Sequence, residues 1–208
     1  MSAKWIVLEG IEGTGKTTLG KLLAKELHGV YISTNSQGPI AQAVRERFKD
    51  KNKPELPNLV YAHMMASTIT ETFYDYIKPM LDKGVTVISD RWLPSFYVYQ
   101  VCKGAFDPLI NNIFSDLSWL VNKQHTPDMY VHCTLPLNIL EERLKKRGRD
   151  DRLDNLDLDN KFDMLSNFDY YLSNHVEDIT YNLDCSGTIE QNLNTLLNIT
   201  QARLFREN

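Results

Sequence analysis

The chain has 208 residues, 42% of them hydrophobic and 24% charged, with a formal net charge of −4, which suits one α/β domain with a sizeable core and is short for two. That charge gives no overall attraction to nucleic acid, so a nucleotide has to be held by local basic clusters. No apolar stretch approaches the roughly 20 residues of a membrane span, and the first residues run straight into an apolar strand with no room for a signal peptide, so a cytoplasmic protein is expected.

The first element is Trp5-Ile6-Val7-Leu8, an apolar run over 4–8 that reads as a buried strand. It enters Gly10-Ile11-Glu12-Gly13-Thr14-Gly15-Lys16-Thr17, which fits G-x-x-x-x-G-K-[ST]. The loop leads into 18–27, where Leu19, Leu22, Leu23 and Leu27 recur at helical spacing. Strand, glycine loop and helix in that order are the setting a phosphate-binding loop requires. Glycines let backbone N–H groups curl toward phosphate oxygens, and the helix N-terminus adds its positive end. Lys16 would reach the outer phosphates of a nucleoside triphosphate, and the Thr17 hydroxyl would ligate Mg²⁺.

Further strands are expected over 29–33, 85–89, 129–133 and 180–184, and helices near 38–50, 58–82, 94–104, 107–122, 136–147, 161–177 and 188–204. The segment 50–57 is polar and twice broken by proline, a surface loop. The segment 145–160 is dense in both charges and carries Gly148; it reads as a lid or as a solvated connection. Alternating strand and helix predicts a parallel sheet of about five strands covered by helices on both faces. Ligands in such sheets sit at the carboxyl ends of the strands, where Glu9, Ser33-Thr34, Asp90-Arg91 and Ser186-Gly187 all fall. Cys102, Cys133 and Cys185 lie far apart with no C-x-x-C pair and read as small buried hydrophobes in a reducing compartment.

Three classes of phosphate-loop protein separate on the remaining residues. A regulatory GTPase needs an N-K-x-D guanine reader, and Asn122-Lys123-Gln124-His125 has His in place of the carboxylate. A motor or transporter ATPase usually closes its second carboxylate strand with an acidic pair, and here Asp90 is followed by Arg91. An Asp beside an Arg at a strand end suits phosphoryl transfer between nucleotides: the carboxylate supports Mg²⁺ and the guanidinium clamps an acceptor phosphate.

Taken together, these segments resemble the thymidylate kinase family. Glu9-Gly10-Ile11-Glu12-Gly13-Thr14-Gly15-Lys16-Thr17-Thr18 is similar to its bacterial phosphate loop. The run from Asp90-Arg91 through Ser95 to Tyr99-Gln100 follows its D-R-x-x-x-S-x-x-A-Y-Q, with Val98 for Ala. Thr126-Pro127-Asp128-Met129-Tyr130-Val131 resembles its P-D strand, and Arg143, Arg147, Gly148 and Arg152 fall where its lid carries R-x-x-x-R-G-x-x-x-R. The resemblance implies a P-loop nucleoside monophosphate kinase fold, a single domain over 1–208 with a lid near 145–160, and ATP with Mg²⁺ as the donor. The acceptor it implies is a deoxynucleoside monophosphate, dTMP first and another or modified deoxypyrimidine second. It implies no nucleic acid or membrane partner, and a homodimer. Other classes that share the loop are a deoxynucleoside kinase and a non-catalytic nucleotide-binding regulator.

By the same resemblance, Gly10 through Thr18 and Arg143 hold ATP, and Thr17 and Asp90 hold the metal. Glu12 binds the sugar 3′-hydroxyl, Arg91 grips the acceptor phosphate, and Tyr99 packs under the deoxyribose; Ser95 and Gln100 lie in the same acceptor motif. The loop positions Glu12, Gly13 and Thr14 supply no cation for the transferred phosphoryl group, so the lid has to, with Arg147, Arg149 and Arg152 as candidates beside Lys16. Two departures concern the acceptor. Thr34-Asn35-Ser36-Gln37-Gly38-Pro39 lacks the Arg usual after the second strand, and Arg45 and Arg47 on the next helix read as a solvated helix face or as substitutes; 58–76 lacks the Arg that reads thymine. Tyr61 either stacks on a base there or packs in the core.

Overall fold

The computed structural model describes residues 3–50, 52–147 and 158–205. Five strands form one sheet: β1 (Trp5–Glu9), β2 (Val30–Ser33), β3 (Val87–Asp90), β4 (Met129–Thr134) and β5 (Thr180–Asp184). Their order is β2-β3-β1-β4-β5 and every neighbouring pair is parallel. The expected parallel sheet is present, with β3 starting two residues later than its apolar run.

Strand β1 lies in the middle and is buried along its whole length. Side chains alternate faces on a strand, and β1 feeds two cores accordingly. Trp5 and Val7 pack with Ala62 and Ile69 of α3 (Asn58–Thr72) and with Ile110, Leu117 and Val121 of α6 (Pro108–Asn122). Ile6 and Leu8 pack on the other face with Leu19 and Leu23 of α1 (Lys16–Glu26), Leu140 and Leu144 of α7 (Leu137–Arg147) and Leu196 of α9 (Ile189–Leu204). An apolar strand without alternation is therefore one that is covered twice. The remaining helices are α2 (Pro39–Lys49), α4 (Lys78–Asp82), α5 (Leu93–Phe96) and α8 (Leu158–His175).

Two expected helices differ from a plain 3.6-residue spiral. The helix read over 58–82 is α3 and α4 joined by a π-helical turn, Phe73–Ile77, which puts Phe73 and Ile77 in the core. The helix read over 94–104 is α5 followed by a π-helical turn, Tyr97–Cys102. Each such turn adds a residue to the helix, and such turns are frequent at functional sites. The second carries Tyr99 and Gln100.

Candidate active site

The phosphate loop runs from the carboxyl end of β1 into α1, and its backbone leaves room for nothing but glycine at its start. Gly10 has φ +131°, and a Cβ there would lie 2.5 Å from the carbonyl oxygen of Cys133 on β4. Gly13, at φ +87°, would drive a Cβ into Leu140 and Leu144 of α7. The loop is thus pressed onto the carboxyl end of β4 and onto α7. Gly15 begins α1 with no side-chain cap, which leaves the positive end of that helix open to an anion. Ile11 anchors in the core, while Thr17 and Thr18 are exposed at the helix start.

Lys16 is folded into this cradle. Its Nζ donates to Ile11 O at 2.6 Å and to Thr14 Oγ1 at 3.2 Å, and Thr14 Oγ1 donates to Ile11 O at 3.1 Å. Burial and then Arg91 hold the Lys16 ammonium below its usual pKa. A cation seated on carbonyl and hydroxyl oxygens exchanges them readily for phosphate.

Strand β3 ends beside β1, and its last residues divide between two sides. Asp90 accepts from Thr17 Oγ1 at 2.7 Å and from the hydroxyl of Tyr31 on β2 at 2.9 Å. Burial, then Asp90, pushes the Tyr31 phenol well above its usual range, so it stays a donor. Arg91 then takes φ +75°, a left-handed conformation that costs a side-chain-bearing residue about 1–3 kcal/mol. Its N–H donates to Leu8 O at 3.0 Å and its carbonyl accepts from Thr34 Oγ1 at 2.7 Å. The guanidinium turns back over the loop: Nη1 donates to Gly10 O at 3.1 Å and to Ser95 Oγ at 3.0 Å, and Nη2 to Glu12. It also lies over the Tyr99 ring, 5.0 Å from its centre.

Glu12 bridges Arg91 and Tyr99, whose hydroxyl donates to it at 2.8 and 3.0 Å. Burial would raise the Glu12 carboxyl, but Arg91, Lys16 and Tyr99 outweigh it and hold it below its usual value. Burial likewise opposes the Arg91 charge, and Tyr99, Glu12, Asp90 and Glu9 more than offset it. Two cations and three carboxylates therefore share one small volume at the strand ends.

Gly10, Ile11, Glu12, Gly13, Thr14, Gly15, Lys16, Thr17, Asp90, Arg91, Ser95 and Tyr99 converge there, and Gln100, next to Tyr99 in the π-helical turn, is buried. Arg143 stands on α7 and donates to Cys185 O at 2.9 Å, tying that helix to the end of β5. Of the two roles open to Tyr61, the structure shows packing: it is 4% exposed, its ring stacks on Phe48 at 4.6 Å and 14°, and its oxygen accepts from Leu56 N. Arg47 donates to Pro54 O at 2.5 Å and holds the 50–57 loop, and Arg45 is exposed. Arg147 closes α7; its side chain, Arg149, Arg152 and the rest of 148–157 lie outside the described residues.

Sequence reasoning gave Glu9 a place but no role, and it missed Tyr31. Glu9 is wholly buried and accepts from Trp92 N at 2.6 Å, Ser95 N at 3.3 Å and Ser95 Oγ at 2.6 Å. The available signal was an acidic residue closing an otherwise apolar, doubly covered strand. Tyr31 carried none, since a tyrosine in a strand usually packs.

Comparison with known proteins bears on the same residues. The family model described as thymidylate kinase matches residues 8–191. A thymidylate kinase of Carboxydothermus hydrogenoformans is 35% identical over 162 residues, 74% of this chain and 76% of its own. One of Marinomonas sp. is 31% identical over 160 residues, 74% of each chain. The solved thymidylate kinase of Candida albicans superposes with a TM-score of 0.77 at 21% identity, covering 97% of this chain and 92% of its own. That of Ehrlichia chaffeensis gives 0.72 at 20%, covering 97% and 100%. These two likenesses establish the shared fold.

Proposed function

The chain belongs to the thymidylate kinase family, whose activity is the ATP-dependent phosphorylation of dTMP to dTDP, and from that premise we propose how its residues divide the work. The carrying observation is the single peptide that joins Asp90, bonded to Thr17 on the donor loop, to Arg91, bonded to Glu12 on the other side of that loop.

On the donor side, Lys16 exchanges Ile11 O and Thr14 Oγ1 for the outer phosphates of ATP, and the N–H groups of Gly10 through Thr18 cradle the rest. Arg143 faces the nucleotide from α7. The donor set fits Mg²⁺, a hard ion that keeps several waters and takes few protein ligands. With the Thr17 hydroxyl proton committed to Asp90 at 2.7 Å, the Thr17 oxygen has lone pairs free for a metal, and Asp90 supports it from behind. When bound, Mg²⁺ would neutralise charge on the phosphate oxygens.

On the acceptor side, Arg91 exchanges its loop contacts for the phosphate of dTMP, and Glu12, freed from it, receives the sugar 3′-hydroxyl. Tyr99, held by Glu12, packs under the deoxyribose, with Ser95 and Gln100 behind it. Arg147, Arg149 and Arg152 complete the cations around the transferred group, as a lid over about 145–160. The chain works as a single cytoplasmic domain over 1–208, on nucleotides and not on nucleic acid, and as a homodimer. Supporting the dimer, Val60 on α3 and Leu109 and Trp119 on α6 are exposed apolar side chains on helices that touch. Among the described residues, no helix is long and apolar enough to cross a membrane.

The test is Arg91→Ala with dTMP and ATP varied in turn. The KM for dTMP should rise at least about 10-fold while that for ATP stays within about twofold, since a bidentate cation on a phosphate is lost on one side only. A rise confined to ATP would move Arg91 to the donor side.

A further inference from the structure

We infer that Glu9 is the positioning residue for Arg91: its buried carboxylate fixes the left-handed Arg91 turn and, through Ser95 Oγ, the direction of the guanidinium. The inference rests on the reading of Arg91 as the acceptor-phosphate grip. Glu9 itself is fully shielded by Trp92, Ser95 and the sheet, so it touches no substrate.

The geometry is a relay. One Glu9 oxygen, Oε1, accepts from Trp92 N, the N-cap of α5 that directly follows Arg91, and from Ser95 N in the first turn of that helix. A residue with positive φ stays there only when its neighbours over-determine it; here Leu8 O holds the Arg91 N–H and Glu9 holds the next one. The other oxygen, Oε2, takes the Ser95 hydroxyl proton at 2.6 Å. That leaves the Ser95 oxygen's lone pairs turned to Arg91 Nη1 at 3.0 Å. A carboxylate that accepts three hydrogen bonds while wholly buried is an arrangement whose cost needs a return. An ionised Glu9 can only accept, so it forces the Ser95 proton toward itself. A neutral Glu9 donates to the Ser95 oxygen instead, in competition with Arg91.

The relay is consequently sensitive to pH. Burial raises the Glu9 carboxyl to about 7 against the pull of Ser95, Arg91, Trp92 and Lys16. Burial and Arg91 hold Lys16 below its usual pKa, and four other groups around Glu9 keep their charge from pH 6 to 8.5. Arg91 stays charged, burial pushes the Tyr130 and Tyr171 phenols up, and Glu12 stays ionised. His132, in register with Glu9 on β4 and 3.2 Å from Asp169 on α8, is held by burial below its usual pKa and is neutral at and above 7.

The experiment measures the KM for dTMP and for ATP between pH 6 and 8.5 in the wild type, Glu9→Gln, Ser95→Ala and Arg91→Ala. At pH 8, Glu9→Gln should raise the KM for dTMP by roughly 10-fold, the size typical of a supporting partner behind a binding group, with ATP nearly unmoved. The ratio of variant to wild type should fall toward 1 near pH 6, where wild-type Glu9 takes up a proton. The phosphate of dTMP also titrates near 6, but it does so for both proteins and cancels in the ratio. Ser95→Ala, which breaks the relay and leaves the Glu9 charge, should raise the KM for dTMP at pH 8 even if Glu9→Gln does not fold. A ratio near 1 at pH 8, a ratio constant with pH, or an equal rise for ATP overturns the inference. Arg91→Ala separates the two readings: if it raises the KM for dTMP and the relay variants do not, the role of Glu9 alone fails. If it leaves that KM unchanged, both readings fail.

Discussion

Replacing Glu9 by Gln should make the protein more stable as it becomes less competent, and the size of the gain follows from one carboxyl group. Glu9 ionises at 4.5 in the unfolded chain and at about 7 in the folded one. Its folded pKa is raised, so its contribution to stability is fully present below 4.5 and is lost as pH rises through 7. The gap corresponds to about 3.5 kcal/mol, at about 1.4 kcal/mol for each pH unit. Gln is isosteric: its oxygen can take the Trp92 and Ser95 N–H groups, and its amide replaces only the acceptor that Ser95 Oγ now uses. Chemical denaturation of both proteins from pH 5 to 8.5 gives the difference in unfolding free energy, from which every other titrating group cancels. That difference should climb in favour of the Gln variant by about 2–3.5 kcal/mol and level off above pH 7. A flat difference, or one that falls with pH, would refute the argument that Glu9 is held ionised against its surroundings.

Lys16→Ala should leave the fold intact and lower turnover by about 10²-fold or more, because the cradle forms from backbone and Lys16 acts on charge that develops during transfer; near-normal turnover would remove Lys16 from the reaction. Gly10→Ala should cost about 3 kcal/mol of stability, since both φ +131° and the approach to Cys133 O oppose a Cβ, and an unchanged melting temperature would count against it. With acceptors compared at equal concentration, dUMP should lie within about 10–100-fold of dTMP, because 58–76 supplies no Arg or Lys to reward thymine, and UMP should lag dUMP because of Tyr99. A dTMP preference above about 10³ would show that another residue reads the base.

Much of this architecture was legible because it is local. An apolar run, a glycine loop and a leucine-spaced helix specify β1, the phosphate loop and α1 with no knowledge of what surrounds them. The Asp90-Arg91 pair stood out as two opposite charges ending an apolar strand. What stayed hidden depends on long-range packing. Thr17 meets Asp90, and Arg91 meets Glu12, only because β1 and β3 are paired in the sheet. Tyr31 reaches Asp90 from β2 by the same route. The fate of Tyr61 turned on Phe48, thirteen positions away on another helix, which no periodicity within α3 reveals. The charge of Glu9 was visible, but its partners lie more than eighty residues further along.

The two π-helical turns also make chain length carry information that composition does not. A helix that gains one residue is rotated by about 100° beyond that point, relative to the same helix without it. Between Tyr97 and Cys102 this slack lets one helical segment serve two masters: Tyr97 packs against Phe114 and Tyr171, and Tyr99, two positions on, faces Glu12 and Phe168. Deleting a single residue there would let the backbone relax into an ordinary α-helix, with every hydrogen bond of that helix satisfied. The same deletion would turn α5, which Glu9 clamps, out of phase with Val101 and the core beyond it. Across relatives, then, the spacing from Asp90 to α6 should tolerate substitution far better than it tolerates a change of one in length.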